Sequence, residues 1–197
     1  MERIYITKDE LDEYEQKMRI QKHLDRYFLI RQFCYGTVID CASGVGYGTH
    51  ILQTNQDVKK IYGLDIAPEA IDHAKKEFDT AKTEFLLQDM DLFDKPADVL
   101  VSIETIEHIE DPTKLASLAE RCGVKDIIVS FPTKKSTHFN PYHVYDLYTD
   151  DLKKIFRNYR HINTISLGQE VDLAFFTLKH SVGIAADRKF YHHKEEK

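Results

Sequence analysis

The chain has 197 residues and a mass of 23.0 kDa, which suits one α/β domain with a core on both sides of a sheet. Its formal net charge of -6 disfavours general nucleic-acid binding, which depends on clustered Lys and Arg; residues 134–138 ("KKSTH") are the best local exception. The sequence lacks an apolar run long enough to span a membrane and an apolar signal-peptide core, so we predict a cytoplasmic protein. Three cysteines without CxxC spacing predict reduced core thiols.

The order of elements predicts a doubly wound sheet. Residues 9–33 are charged, lack Gly and Pro, and repeat apolar side chains near helical spacing, which predicts one or two N-terminal helices. After Gly36, apolar runs alternate with helical segments that begin at about Tyr47 and at Pro68. Such alternation is typical of parallel strands joined by right-handed crossovers, with helices on both faces. The predicted strands are "TVIDCA", "KIYGLDI", "EFLLQ", "DVLVSI" and "DIIVSF".

The C-terminal part departs from this alternation. In "YTDDLKKIFRNY" a Thr and two Asp precede an apolar periodic run, which is typical of a helix start. "HINTISLG" and "DLAFFTLKH" follow as two strands separated by a turn, so the mostly parallel sheet gains an antiparallel C-terminal strand. We expect one domain over residues 1–187, with a helical cap at about 8–35, and a flexible tail at 188–197.

Three glycines lie within five positions after the first predicted strand, in "DCASGVGYGTHIL" at 40–52. Ligands of an open parallel sheet bind where this strand turns into its helix. The missing Cβ atoms of Gly44, Gly46 and Gly48 permit positive φ and let a ligand approach the backbone, near free N–H donors of the helix. Asp65 ends the second strand, where a carboxylate accepts both hydroxyls of an adenosine ribose. A helix cap would explain Asp65 alone, whereas a nucleoside ligand explains both features.

The residues around the glycines disfavour a dinucleotide. A GxGxxG pattern starting at Gly44 needs a glycine at the position of Thr49. Asp40, just before the loop, would add negative charge beside two phosphates. S-adenosylmethionine carries an ammonium, a sulfonium and no phosphate, so it suits a D-x-A-x-G-x-G loop that begins at Asp40. A dehydrogenase that binds NAD is the alternative for this loop.

Four segments resemble successive motifs of the class I S-adenosylmethionine-dependent methyltransferases: "DCASGVGYG", "YGLDIAPEAIDHAK", "LLQDMDLF" and "VSIETIEHIEDP". The resemblance covers about residues 23–180 and implies a Rossmann-like fold. More narrowly, "KHLDRYFLIRQF", "ASGVGYG" and "NPYHVYDLYTDDL" are similar to bacterial methyltransferases associated with surface-polysaccharide synthesis. The chain departs from the family between the fourth and fifth strands, where "LAERCGVKDIIVSF" is shorter than the usual turn of the type "LKPGG".

The resemblance also implies a set of contacts to S-adenosylmethionine. Those to the methionine moiety come from Asp40, Ala42, Gly44 and Gly46, and Ser43 and Tyr47 of the same loop belong to the cofactor set. Those to the ribose come from Asp65 and Ile66, those to the adenine from Asp89 and Met90, and those at the pocket floor from Ile103 and Glu104. Arg26 and Tyr27 close the pocket from the N-terminal helix.

The segment "ETIEH" at 104–108 follows the fourth strand, where the transferred methyl group should point. If a helix begins there, Glu104, Glu107 and His108 lie at i, i+3 and i+4 and share a face. His108 is then a candidate general base for a substrate hydroxyl. His143 and these three residues alternatively form a divalent metal site, which resembles the ExxEH plus His arrangement of small-RNA 2'-O-methyltransferases and some quinone O-methyltransferases. Two histidines favour Mn²⁺, Fe²⁺ or Zn²⁺ over Mg²⁺, and a purely structural role is the third interpretation.

The function predicted first is methyl transfer to a hydroxyl of a saccharide or another small molecule, with His108, Glu107 and His143 as candidate catalytic residues. The alternatives are an RNA or nucleotide 2'-O-methyltransferase with a divalent metal, and a protein that binds S-adenosylmethionine without transferring its methyl group. The polar and aromatic segment 131–149 follows the fifth strand and should form part of the acceptor pocket. Nothing in the sequence indicates an oligomeric state.

Overall fold

A computed structural model describes residues 8–138, 140–168 and 171–179 of the chain. Within these ranges it contains one seven-stranded sheet with the strand order β3-β2-β1-β4-β5-β7-β6. The strands are β1 (Gly36–Cys41), β2 (Val58–Asp65), β3 (Thr83–Leu87), β4 (Val99–Ser102), β5 (Asp126–Pro132), β6 (Tyr159–Leu167) and β7 (Val171–Leu178). The helices are α1 (Lys8–Ile30), α2 (Tyr47–Leu52), α3 (Pro68–Phe78), α4 (Thr113–Arg121) and α5 (Thr149–Ile155), with 3₁₀ turns at Arg31–Phe33, Met90–Leu92 and Ile106–His108.

The strand directions confirm the predicted fold class. Strands β1 to β5 pair in parallel, and β7 is antiparallel to both of its neighbours, β5 and β6. The connections proceed outward from β1 to β3 and then return to β4 on the other side of β1. This reversal leaves a crevice at the carboxyl ends of β1 and β4, the position at which open α/β sheets bind ligands.

The core lies on both faces of the sheet, as the continuous apolar strands require. On one face, Tyr27 and Ile30 of α1 and Leu52 of α2 pack with strand residues. On the other face, Leu115 of α4 and Leu152 of α5 belong to a second buried cluster. The three cysteines, at 34, 41 and 122, are buried, as predicted for core thiols.

The N-terminal region forms one long helix and a short 3₁₀ turn, as the periodicity predicted. Only the C-terminal part of α1 enters the core, whereas residues 12–18 are exposed. None of the helices in the described ranges has the length and apolar character of a membrane span. The tail predicted at 188–197 lies outside the described residues.

Candidate active site

A cavity of about 370 Å³ opens at the carboxyl ends of β1, β2 and β4. Its volume is in the range of pockets that hold small ligands and cofactors. Seven residues singled out from the sequence line it: Ala42, Asp65, Ile66, Asp89, Met90, Glu104 and His108. Three carboxylates and one ammonium group, that of Lys114, therefore lie on the wall of this cavity, so its excess of negative charge favours a ligand that carries positive charge.

The three glycines of the loop after β1 have three different surroundings. Gly44 has a φ of 55°, and a Cβ added there would meet no atom within 4 Å. A Cβ on Gly46 would lie 2.7 Å from the Cβ of Ala74, and one on Gly48 would collide with the ring of Tyr27. The sequence suggested that all three glycines admit a ligand, but only Gly44 faces open space; the other two admit protein side chains.

Asp65 fastens this loop to the start of the next helix. Its Oδ2 accepts a hydrogen bond from the backbone N–H of Gly44 at 2.8 Å, and its Oδ1 accepts one from the N–H of Ala67 at 2.9 Å. Each carboxylate oxygen has a second lone pair that remains available to a ligand hydroxyl. The capping role and the predicted ribose contact are therefore compatible at this residue.

Asp40 lies beneath the loop and is fully buried. Thr49 donates its hydroxyl hydrogen to Oδ2 at 2.6 Å, and Tyr27 donates to Oδ1 at 3.3 Å. Burial raises the pKa of Asp40 to about 7, although the two hydroxyl donors oppose this rise. Its predicted contact with the cofactor ammonium stays a prediction, since Asp40 does not line the cavity. The sequence pattern indicated Thr49 only as the residue in place of a third glycine, and it did not predict the hydrogen bond to Asp40.

Two further cofactor candidates, Tyr27 and Tyr47, support the loop from behind the cavity wall. Tyr27 is buried, and its ring meets that of Tyr47 edge to face with centroids 5.8 Å apart. The missing Cβ of Gly48 makes room for the Tyr27 ring against α2. These contacts let the side chains of α1 determine the position of the glycine loop.

Glu104 has a strained backbone at the end of β4. Its φ of 54° is unusual for a residue with a Cβ, and in the described residues only Ala42 shares this feature among non-glycines. Ser130 stabilises this conformation, because its Oγ accepts the Glu104 N–H at 2.7 Å and its hydroxyl donates to Oε1 at 3.3 Å. Arg26 of α1, which is only 6% exposed, places Nη1 3.5 Å from Oε2 and 3.1 Å from Nδ1 of His23. The helix α1 is thereby tied to the cavity wall.

The segment 104–108 does not form the α-helix that the spacing suggested; it forms a 3₁₀ turn over Ile106–His108. Glu104 precedes this turn and binds Arg26 and Ser130, so it does not share a face with the other two residues. One ligand atom each of Glu107, His108 and His143 lies within 4.8 Å of the others. The candidate metal group in the described part of the chain thus has three members, not four.

The environments of these three residues differ. Glu107 is buried, which raises its pKa to about 7, and its Oε2 has no hydrogen-bond partner among the described residues. The rings of His108 and His143 are nearly perpendicular, with centroids 4.7 Å apart. Burial and the neighbouring His108 lower the pKa of His143, whose Nδ1 lies 2.6 Å from Oγ of Ser136.

The hydrogen bonding of His108 defines its tautomer. Its Nδ1 lies 2.9 Å from the carbonyl oxygen of Tyr142. A carbonyl oxygen only accepts, so Nδ1 carries the hydrogen and Nε2 of the neutral ring has a free lone pair. The same segment also donates the N–H of Val144 to the carbonyl of Glu107 at 2.8 Å. The segment after β5 therefore overhangs this part of the site, as the sequence predicted.

The cavity also has lining residues that the sequence analysis missed. Most of them are direct neighbours of predicted residues along the strand ends, so a wider window around each motif would have found them. Lys114 is different, because it comes from α4 and no nearby motif indicates it. The missed lining residues are Cys41, Leu64, Gln88, Thr105, Ile109 and Lys114. Predicted site residues that do not line the cavity are Arg26, Tyr27, Asp40, Ser43, Gly44, Gly46, Tyr47, Ile103, Glu107 and His143.

The sheet has the topology of the Rossmann-like methyltransferase fold. Residues 39–126 match the family model described as a methyltransferase domain. This stretch runs from β1 to the first residue of β5 and contains the glycine loop, Asp65 and His108. The matched domain and the fold together indicate an S-adenosylmethionine-dependent methyltransferase. No curated protein sequence matches it.

Solved structures with this fold differ in the reactions named for them. One is a chain from the complex between the Haloferax volcanii Trm112 methyltransferase activator and a methyltransferase, with a TM-score of 0.70, 17% identity, and coverage of 86% of this chain and 96% of that one. The N-methyltransferase NodS from Bradyrhizobium japonicum, in complex with S-adenosylhomocysteine, has a TM-score of 0.64, 15% identity, and coverage of 80% and 88%. Magnesium protoporphyrin IX methyltransferase from Synechocystis, with bound S-adenosylmethionine, has a TM-score of 0.62, 15% identity, and coverage of 90% and 86%. At these identities the likeness concerns the fold, and the acceptor has to be argued from the site.

Proposed function

We propose that the chain transfers a methyl group from S-adenosylmethionine to a hydroxyl of a saccharide or another small molecule. The observation that carries this proposal is the orientation of His108, whose Nε2 is a free acceptor because Nδ1 donates to Tyr142. A hydroxyl loses its proton when its oxygen is methylated, so a base beside the cavity assists this reaction. The choice of a saccharide rests on the resemblance of "NPYHVYDLYTDDL" to polysaccharide-associated methyltransferases.

The cavity wall fits the proposed cofactor. Asp65 offers carboxylate lone pairs for the ribose hydroxyls. Gly44 is not a lining residue, but it donates its N–H to Asp65 and has open space beside its backbone, which leaves room for a ligand there. Ile66 and Met90 supply apolar surface for an adenine ring. The carboxylates of Asp65 and Asp89, with that of Glu104 beside its partner Arg26, suit the ammonium and sulfonium charges and would repel a dinucleotide pyrophosphate. When bound, S-adenosylmethionine supplies a methyl group activated by a positively charged sulfur.

The chain contributes orientation and proton transfer to this reaction. In such a transfer the acceptor oxygen would form a bond to the methyl carbon, while the carbon–sulfur bond would break and leave its electron pair on sulfur. Nε2 of His108 takes the hydroxyl proton, which balances the charge lost from the sulfonium. Holding the acceptor and the methyl group in near-attack geometry accounts for much of the acceleration, and the base contributes about 10²- to 10⁴-fold.

Calorimetry with S-adenosylhomocysteine and with NAD tests the cofactor assignment. We expect the chain to bind the former and not the latter; binding of NAD alone would overturn the assignment. Gly44→Ala and Gly123→Ala form a matched pair, because both glycines have positive φ, 55° and 66°, with no atom within 4 Å of an added Cβ. Both variants should carry a similar backbone strain of about 1–2 kcal/mol. We expect only Gly44→Ala to weaken S-adenosylhomocysteine binding, because only Gly44 lies in the glycine loop.

A screen of acceptors tests the reaction. Methyl transfer from labelled S-adenosylmethionine should be measured against sugars, nucleotide sugars, phenols and small RNAs. Turnover with a sugar hydroxyl that falls strongly in His108→Gln supports the proposal. Turnover confined to phenols or RNA would replace the saccharide, and methylation of nitrogen or carbon would overturn O-methylation.

A second candidate is a metal-assisted transfer, which the convergence of Glu107, His108 and His143 within 4.8 Å favours. Two imidazoles and a carboxylate suit Mn²⁺, Fe²⁺ or Zn²⁺, and Oε2 of Glu107 is a free donor for such an ion. A bound ion would supply Lewis acidity for the acceptor hydroxyl. This residue set resembles that of small-RNA 2'-O-methyltransferases. The net charge of -6 nevertheless disfavours an RNA acceptor for this chain.

The two candidates are separable because both need Nε2 of His108 but only one needs an ion. Undiminished turnover after thorough chelation supports the base and ends the metal candidate. Lost turnover that Mn²⁺ or Zn²⁺ restores favours the metal. Glu107→Gln should then lower metal content, measured by elemental analysis, whereas a base mechanism requires no metal in either protein.

A further inference from the structure

We infer that Arg121, at the end of α4, is a positioning residue for the adenine end of the cofactor cavity. This inference rests on the cofactor site proposed above. The cavity residues at that end, Asp89 and Met90, belong to the 3₁₀ turn Met90–Leu92 and its N-cap. Arg121 touches this turn from outside the cavity, so it acts through the turn and not on the ligand.

Two hydrogen bonds from one guanidinium hold both ends of the turn. Arg121 donates from Nη2 to the carbonyl oxygen of Met90 at 2.6 Å and from Nε to that of Phe93 at 2.8 Å. The guanidinium is planar and its N–H directions are fixed, so the two acceptors are held in a defined relative position. Met90 is the first residue of the turn and Phe93 directly follows it, so the arginine spans the whole turn.

The turn has few bonds of its own. Its backbone bonds run from the N–H of Leu92 to Asp89 at 3.1 Å and from that of Phe93 to Met90 at 3.4 Å. The carboxylate of Asp89 also caps the turn by accepting the Asp91 N–H at 2.8 Å, but a single 3₁₀ turn is weakly stable by itself. None of its three residues is buried, and the side chain of Leu92 is exposed. The position of Met90 therefore depends on contacts made from outside the turn.

The other charged contact from α4 is weaker support. Lys114 places Nζ 2.6 Å from Oδ2 of Asp91, but both side chains are more than 40% exposed. Solvent screens such surface pairs, and holding two flexible side chains together costs entropy. Arg121 instead bonds to backbone carbonyls, one of which belongs to the buried Phe93. Arg121 thus adds a directional polar link from α4 to the adenine end, beside the packing of Met90 and Phe93 against the buried cluster that contains Leu118.

Calorimetry with S-adenosylhomocysteine tests this role. Arg121→Ala should weaken binding about ten- to a hundredfold, because losing the two charged donors releases the turn. Arg121→Lys keeps a charged donor that reaches one carbonyl at a time, so it should recover part of the affinity. Arg157→Ala removes an exposed arginine elsewhere and should bind as the parent does. Melting of each variant without ligand reports whether its fold is intact.

A double-mutant cycle distinguishes positioning from general destabilisation. Arg121→Ala and Met90→Ala should be non-additive in their effect on S-adenosylhomocysteine affinity, since both act through the same turn, whereas Arg121→Ala and Asp65→Ala should add. Parent affinity in Arg121→Ala, or equal coupling to both partners, would overturn the inference. A parent protein that does not bind S-adenosylhomocysteine would instead refute the proposed cofactor site, so the two failures are distinct.

Discussion

The part of the site proposed for the cofactor and the part proposed for the acceptor, called here the cofactor half and the acceptor half, are built differently. The cofactor half lies on the ends of buried parallel strands, and its side chains bind backbone groups, as Asp65 binds the N–H of Gly44. The proposed acceptor half is one segment, described over residues 133–138 and 140–148, that lies over the turn Ile106–His108 and exposes large side chains such as Tyr142. The cofactor half is therefore determined by the sheet, and the acceptor half by contacts within one loop.

This difference explains why a common motif identifies the cofactor half but leaves the acceptor open. Strand ends of a doubly wound sheet converge wherever that sheet forms, so the glycine loop and Asp65 meet in any chain with this pattern. The loop over His108 depends on particular pairs, such as Ser136 with His143 at 2.6 Å. Substitutions can change such pairs without disturbing the sheet, as is general for functional loops on rigid scaffolds.

The largest expected effect is a loss of kcat without a loss of cofactor affinity, and it comes from the acceptor half. His108→Ala should lower kcat by about 10²- to 10⁴-fold, because the acceptor hydroxyl loses its base or metal ligand. Affinity for S-adenosylhomocysteine should stay within about twofold, because the side chain only borders the cavity. Steady-state kinetics and calorimetry check both quantities. Tyr142→Phe keeps the carbonyl that bonds His108 and serves as a control; an unchanged rate in His108→Ala would contradict the prediction.

The second largest effect is expected in the cofactor half, on the affinity for S-adenosylhomocysteine. Asp65→Ala removes the carboxylate acceptor of two backbone N–H groups, each bond to a charged group contributing about 1.5–3 kcal/mol. We expect S-adenosylhomocysteine affinity to fall by about a hundredfold or more, measured by calorimetry. Asp72→Ala, on an exposed position of α3, is the matched control. Parent affinity in Asp65→Ala would mean that the carboxylate supports neither the loop nor the ribose.

A smaller effect sharpens the description of the acceptor half. Asp146 closes its loop, because Oδ1 accepts the N–H groups of Ser136 at 2.8 Å and Thr137 at 3.2 Å, and Oδ2 accepts the Thr137 hydroxyl at 3.1 Å. Asp146→Ala should loosen His143 and lower kcat about tenfold, while cofactor affinity is kept. Asp146→Asn retains the acceptor at Oδ1 and should recover most of the rate. A loss of cofactor affinity in Asp146→Ala would show that the halves are coupled.

The smallest effect concerns protons and the buried Asp40. Its pKa of about 7 means that part of the free protein carries a proton there at pH 7. A ligand ammonium nearby stabilises the carboxylate, so binding should release a fraction of a proton. Calorimetry in two buffers of different ionisation enthalpy measures this release. Asp40→Asn should release none; equal release from both proteins would argue against the Asp40–ammonium contact.

The same group gives the free protein a pH-dependent stability. The folded pKa of Asp40 lies above its ordinary value of 3.8, so between about pH 4 and pH 7 the folded state binds a proton that the unfolded state releases. The free energy of unfolding should therefore fall as pH rises through this window. Denaturant titrations at several pH values should show this slope in the parent and a weaker one in Asp40→Asn.

The sequence by itself determined the sheet, the crevice at its carboxyl edge, and the placement of Asp65 and Met90 there. Apolar periodicity defines the elements, and the handedness of parallel crossovers brings their ends together, so these features follow from local patterns. The segment after β5 was also predictable as an overhang, because it follows a central strand.

Only the tertiary structure decided which groups serve the ligand and which serve the protein. Spacing placed Glu104 with Glu107 and His108, but the strained end of β4 turns it toward Arg26 and Ser130. The loop glycines were alike in sequence, yet only Gly44 faces open space. No sequence pattern predicted the role of Arg121, because its partners are 28 to 31 residues away and are backbone carbonyls that any sequence provides. Local patterns specify elements, whereas such contacts arise from how distant elements pack.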